Sequence, residues 1–123
     1  MSDVDLSRLQ AALREFAEER DWDQFHNPKN LAAALAVEAS ELLEIFQWLT
    51  PSEADEIMQD PQQAQHVCEE VADVFAYLLR IADILEIDLS SALIAKIQMN
   101  SEKYPVAMAR GTARKYTEFE TES

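Results

Sequence analysis

A single glycine, Gly111, serves all 123 residues. Loops that wrap backbone amides around a phosphate, such as P-loops and dinucleotide-binding turns, need several glycines, so those classes are excluded. Cysteine is equally scarce. Cys68 stands alone, which rules out an intrachain disulfide, a thiolate zinc site and a redox pair, and a reducing, cytoplasmic setting is expected. Cations are few: 10 basic against 24 acidic side chains give a net charge of -14. Such a balance repels nucleic acid polymers and anionic lipid surfaces, so neither is an expected partner. No run approaches the roughly 20 apolar residues that cross a bilayer. The opening MSDVDLSRLQ lacks the basic and then apolar order of a signal peptide.

What is present suits one domain over residues 1–123, with 48% hydrophobic and 28% charged residues, enough apolar material for a single core. Its periodicity is helical. Val4, Leu6, Leu9, Leu13 and Phe16 recur at helical spacings and predict a first helix ending near Arg20. DWDQFHNPK, residues 21–29, interrupts the pattern with Asn27 and Pro28 yet carries three aromatic rings. A second helix is predicted from Asn30 to Leu49, and Thr50, Pro51 and Glu53 read as a capping box opening a short extra helix. Asp60 and Pro61 open a long central helix reaching about Glu86, and Asp88 caps a fourth that ends near Tyr104 and Pro105. Residues 105–123 read as a polar tail. With no strand alternation in view, the expected fold is all-α: a four-helix bundle with antiparallel neighbours and a short extra helix between helices two and three.

Two pairs of acids interrupt the apolar stripes. At 100° per residue, Glu38 falls amid Leu31, Leu35, Leu42 and Ile45, with Glu41 one turn on at the stripe's edge and Glu44 turned outward. On the central helix Glu70 lies near the line of Val74, Leu78 and Ile81, with Asp73 and Tyr77 on the same flank. Acids spaced by three are commonly solvated flank residues, but coincidence must act twice to place two such pairs on apolar flanks. Several partly buried carboxylates need a counter-charge, and an all-oxygen donor set suits magnesium, or manganese in its stead. Magnesium in such cages is usually completed by substrate phosphates. A di-iron bundle requires His three residues after a Glu, and neither His26 nor His66 stands there.

Val37-Glu38-Ala39-Ser40-Glu41, 28 intervening residues and Glu70-Val71-Ala72-Asp73 resemble the metal-binding signature of the MazG-like all-α nucleoside triphosphate pyrophosphohydrolases. RDWDQFHNPKN, ELLEIFQW, DVFAYLLRIAD and KYPVAMARGTARKYTEF extend the likeness to the dCTP pyrophosphatase branch, over most of the chain. Val37 replaces the first of two adjacent acids in the general signature, a departure that branch shares. Residues 50–65 match poorly and read as a variable connection. The resemblance implies cleavage between the α and β phosphates of dCTP or a modified dCTP, in nucleotide-pool house-cleaning, with Glu38, Glu41, Glu70 and Asp73 holding magnesium. It also implies a homo-oligomer, a dimer or a tetramer.

Within that expectation Glu41, at the rim of the stripe, is the candidate to orient or deprotonate the attacking water. Residues 96–115 supply five of the ten basic side chains against one acid, Glu102, and Lys96, Asn100, Lys103 and Arg110 are candidates for the substrate phosphates. Trp22, His26, Trp48 and Tyr77 are candidates for the nucleobase, since aromatic faces stack on a pyrimidine and the dCTP branch uses this neighbourhood as its base pocket. A broader triphosphate pyrophosphatase, or a metal-stabilised helical interaction module without turnover, is the alternative.

Overall fold

The computed structural model describes residues 5–122. Val4 of the expected first stripe and Ser123 of the expected tail lie outside the described residues. The chain divides into two compact units, one up to Glu86 and one from Ile87 onward. All described regular structure is helical, as the patterning predicts.

In the first unit α1 spans Leu6–Glu19, and Asp5 caps it by accepting the Arg8 N–H at 2.9 Å. It ends without a glycine. Asp21 takes the left-handed conformation at φ 53°, the Trp22 N–H donates back to the Ala17 carbonyl at 2.9 Å, and the Asp21 N–H donates to that of Glu18 at 3.1 Å. These are the two bonds of a Schellman cap. Its usual apolar clasp is here aromatic, the Phe16 and Trp22 rings meeting edge-on with centroids 5.6 Å apart.

The second helix, α2, runs Pro28–Phe46, starting two residues before and ending three residues before the pattern suggests. Its start is set by Asn27, whose side chain accepts the Asn30 N–H, and by Pro28, whose missing N–H has no helical partner to lose. The expected short helix, α3, spans Pro51–Asp55, and both halves of its capping box form: the Thr50 N–H reaches Glu53 at 2.8 Å and the Glu53 N–H reaches Thr50 Oγ1 at 3.1 Å. A 3-10 turn, Ile57–Gln59, leads to α4, Pro61–Ile84, capped by Asp60.

Both α1 and α2 pack on α4. Gln10 donates to the Leu79 carbonyl and Arg14 to Asp83, the same separation of 69 residues in each case. A constant offset means that α1 and α4 run in the same direction, whereas α2, reached by one reversal and left by another, runs against both. Leu31 and Leu79 are the largest fully buried side chains of this packing, each contributing about 1.5–3 kcal/mol of burial.

In the second unit α5 spans Leu89–Lys103, capped by Asp88, whose side chain accepts the Ser91 N–H at 3.0 Å. The segment expected to be only a polar tail carries a further short helix, α6, Val106–Ala109, and a 3-10 helix, Tyr116–Glu122. Aromatic packing organises it: Tyr104 meets both Tyr116 and Phe119 edge-on at 5.9 Å, and Phe119 is buried.

Candidate functional site

Glu38 and Glu41 stand one turn apart on α2 and face Glu70 on α4. One carboxylate oxygen from each lies within 4.8 Å of the others. Asp73, a turn beyond Glu70, stands outside this triad, but its charge reaches Glu38. The four acids singled out in the sequence are thus a triad with one neighbour rather than a ring of four equals.

No cation of the protein neutralises the triad among the described residues. Glu38 Oε2 and Glu70 Oε2 are buried and have no hydrogen-bond donor. The imidazole of His66, a turn before Glu70, comes only to 3.7 Å. Glu38 responds as a crowded acid must: its pKa is pushed from 4.5 up to about 7, chiefly by hydrogen bonding with Glu41, which two carboxyls achieve only by keeping a proton. Burial, hydrogen bonding with Glu70 and the charges of Glu41 and Asp73 add to the rise. Orphaned buried oxygens, a Glu38 pKa raised by its acidic neighbours and donors that are all hard carboxylates fit a hard divalent cation.

Beside the triad a cavity of about 530 Å³ opens between α1 and α4. Asp73 and Tyr77 line it from α4, Leu13 and Phe16 from α1, and Trp22 and His26 from the connection between α1 and α2. Asp73 therefore belongs to both places. The connection is well ordered by its own bonds. The Phe25 N–H donates to the Trp22 carbonyl at 2.8 Å, the His26 N–H to that of Asp23 at 3.2 Å, and the Asn30 side chain to that of Phe25 at 3.1 Å. What the sequence shows as an interruption rich in aromatic residues is a built corner that aims Trp22 and His26 at the cavity.

Three of the four aromatic candidates, Trp22, His26 and Tyr77, meet at this cavity. Trp48 does not line it and is 87% exposed, just past the end of α2. The basic candidates stand in the second unit: Lys96, Asn100 and Lys103 along one flank of α5, and Arg110 at the end of α6. The Lys103 ammonium lies 5.0 Å from the Tyr116 ring centroid.

Sequence reasoning passed over Arg80, which is only 6% exposed and lines the same cavity. Its Nε donates to His26 Nδ1 at 3.2 Å, and its terminal nitrogens reach Asp83 at 3.3 Å and Asp23 at 3.4 Å. A signal was available: Asp73, Tyr77 and Arg80 follow one another at spacings of four and three, so an arginine shares the stripe that carries an acid and a tyrosine.

Residues 33–119 match the model of the MazG-like family, most of the chain and every acid of the triad. The chain belongs to the MazG-like family. Among its relatives are the dCTP pyrophosphatase 1 of Homo sapiens and that of Rattus norvegicus, each 44% identical over 114 residues. Those alignments cover 93% of this chain and 65% of the relatives, so the MazG-like chain spans a little under two thirds of their length. A solved pyrophosphatase from Archaeoglobus fulgidus is 40% identical and superposes with a TM-score of 0.77, covering 85% of this chain and 96% of its own. Among the described residues, no helix of this MazG-like protein is long and apolar enough to cross a membrane.

Proposed function

We propose that this MazG-like chain is a magnesium-dependent nucleoside triphosphate pyrophosphohydrolase that splits dCTP, or a modified dCTP, into the monophosphate and pyrophosphate. The observation that carries this reading is the pair of orphaned carboxylate oxygens, on Glu38 and Glu70, beside an aromatic-walled cavity that shares Asp73. The names of the relatives, dCTP pyrophosphatase 1, supply the substrate.

Glu38, Glu41 and Glu70, with Asp73 at the cavity side, are the residues to hold magnesium, or manganese in its place. When bound, the cation withdraws charge from the phosphate oxygens and aligns the chain for in-line displacement. The protein's own part is acid–base work and orientation. Glu41 takes a proton from water as the water oxygen bonds to phosphorus, and the bridging P–O bond breaks so that its electron pair leaves with pyrophosphate. Trp22 and Tyr77 give the pyrimidine ring apolar faces, His26 gives it a polar edge, and Trp48 is a weaker candidate because nothing encloses it. Lys96, Asn100, Lys103 and Arg110 have the donors that a triphosphate requires, and we assign them to it on chemistry alone.

The family match runs across both units, which supports one MazG-like domain over residues 1–123. Leu93, Ile94 and Ile97 on α5 are all more than half exposed, and a homo-oligomer, dimer or tetramer, would cover such a face. We assign the chain a cytoplasmic role in cleaning the nucleotide pool as part of the same reading.

The test is pyrophosphate release across canonical and 5-substituted nucleoside triphosphates with magnesium. We expect dCTP or a 5-substituted dCTP to be preferred, and Glu41→Gln to lose turnover by at least about 100-fold while still binding nucleotide. Equal rates on all bases would leave a broader triphosphate pyrophosphatase. No release from any triphosphate would leave a metal-stabilised module without turnover.

A further inference from the structure

We propose that Arg80 is a positioning residue that fixes the tautomer of His26, so that the ring presents a donor, its Nε2–H, to the acceptor edge of a bound pyrimidine. The occupant rests on the function proposed above. The tautomer does not.

An arginine keeps its proton under all physiological conditions and offers only donors. Nδ1 of His26, facing the Arg80 Nε–H at 3.2 Å, must therefore meet it with a lone pair, and a neutral imidazole then carries its proton on Nε2. The guanidinium has little freedom to move away. It is buried, it is tied to Asp83 and Asp23 at its other nitrogens, and Asp83 is itself gripped by two Arg14 donors at 2.6 and 3.0 Å. The ring is also kept neutral: burial first, and then the adjacent Arg80 charge, lower the His26 pKa, with Asp23 opposing. Within the described residues Nε2 has no hydrogen-bond partner, and Trp22 lies beside the ring with centroids 6.2 Å apart. Nε2 is open to solvent at the edge of the aromatic cavity, where it is free to donate to a ligand with a lone pair.

Cytosine has two adjacent acceptors, O2 and N3, on one edge. Uracil and thymine share the O2 acceptor but carry a hydrogen on N3, so a donor placed at N3 would meet a donor there. A fixed Nε2–H directed at N3 therefore favours cytosine over the other pyrimidines, whereas an imidazole free to exchange tautomers would accommodate either.

The experiment is long-range ¹H–¹⁵N NMR of the histidine rings in the full metal-free chain at pH 8, with His66→Asn to assign the two spectra. We expect His26 of the wild-type protein to show an unprotonated Nδ1 and a protonated Nε2. In Arg80→Met the Nδ1 signal should move toward the tautomer average, and in Arg80→Gln, which keeps a donor without the charge, it should move back. On pyrophosphate release, Arg80→Met should reduce the preference for dCTP over dTTP by roughly tenfold, mainly through KM. A protonated Nδ1 in the wild-type ring overturns the proposal, even if no Arg80 variant folds, and so does unchanged selectivity in a folded Arg80→Met. A wild-type protein with the expected tautomer but no action on any triphosphate refutes the assigned function and leaves the tautomer assignment standing.

Discussion

Replacing Glu38 by Gln should have opposite effects with and without a divalent cation. In the cation-free protein the Glu38 carboxyl sits among acids that raise its pKa from 4.5 to about 7. The sign follows from linkage: an acid whose pKa is raised on folding favours the folded state while it holds its proton. That advantage is lost as pH climbs from about 4.5 to about 7, and above 7 the charged group opposes folding in full. A shift of this size corresponds to roughly 3 kcal/mol at most. Solvent at the open side of the cluster screens part of it, so about 1–2 kcal/mol is the realistic figure. Glutamine keeps the shape without the charge. Glu38→Gln should therefore melt a few degrees above the wild type at pH 8 in EDTA, and the gap should close by pH 5. Adding millimolar magnesium should raise the wild-type melting temperature by mass action and leave the variant nearly unmoved. Differential scanning fluorimetry over pH 5–8, with and without magnesium, reads all of this. A variant less stable than the wild type at pH 8 in EDTA would refute the electrostatic reasoning, and one that still responds fully to magnesium would remove Glu38 from the cation site.

Leu79, 2% exposed where α1 meets α4, should lose about 2–5 kcal/mol of stability on replacement by Ala, readable by urea unfolding; a loss under 1 kcal/mol would mean that α1 is not held where it is. Asp83 is held below the ordinary carboxylate range by its hydrogen bonds from Arg14, and then by the charges of Arg14 and Arg80, against opposing burial. Its contribution is therefore full at neutral pH and is lost as pH falls below 3.8. Asp83→Asn should lower the melting temperature at pH 7 and differ progressively less from the wild type in acid, whereas a constant difference would exclude ionisation as the cause.

What could be read in the chain was local or periodic. Thr50, Asp60 and Asp88 were read as helix starts and each caps its helix, because a side-chain acceptor within three residues of a free N–H needs no tertiary information; Asp5 and Asn27, not read as caps, act by the same local geometry. The triad was legible for a related reason, since charge on an apolar stripe marks itself. The bond between Arg80 and His26 joins residues 54 apart, and no spacing rule reaches that far. The end of α1 was read to within a residue of Glu19, although its left-handed position is filled by Asp21 rather than glycine. Trp48 looked like its neighbours in composition, but α2 stops at Phe46 and leaves the indole in the open. The folded tail was hidden because its order comes from three aromatic rings spread over residues 104–119, too few to form a stripe.

The fourth helix works as a measuring rod. Glu70 marks one end and Arg80 the other, ten positions along one rigid cylinder, or about 15 Å at 1.5 Å per residue. Because α2 grips the acid end and α1 the aromatic end, the distance between the two marks is set by covalent geometry and cannot stretch to suit a guest. Under the proposed function such a rod would sort molecules by length before any atom of the base is inspected: a free nucleobase would touch one mark, pyrophosphate the other, and only something as long as a nucleotide with its phosphates extended would span both.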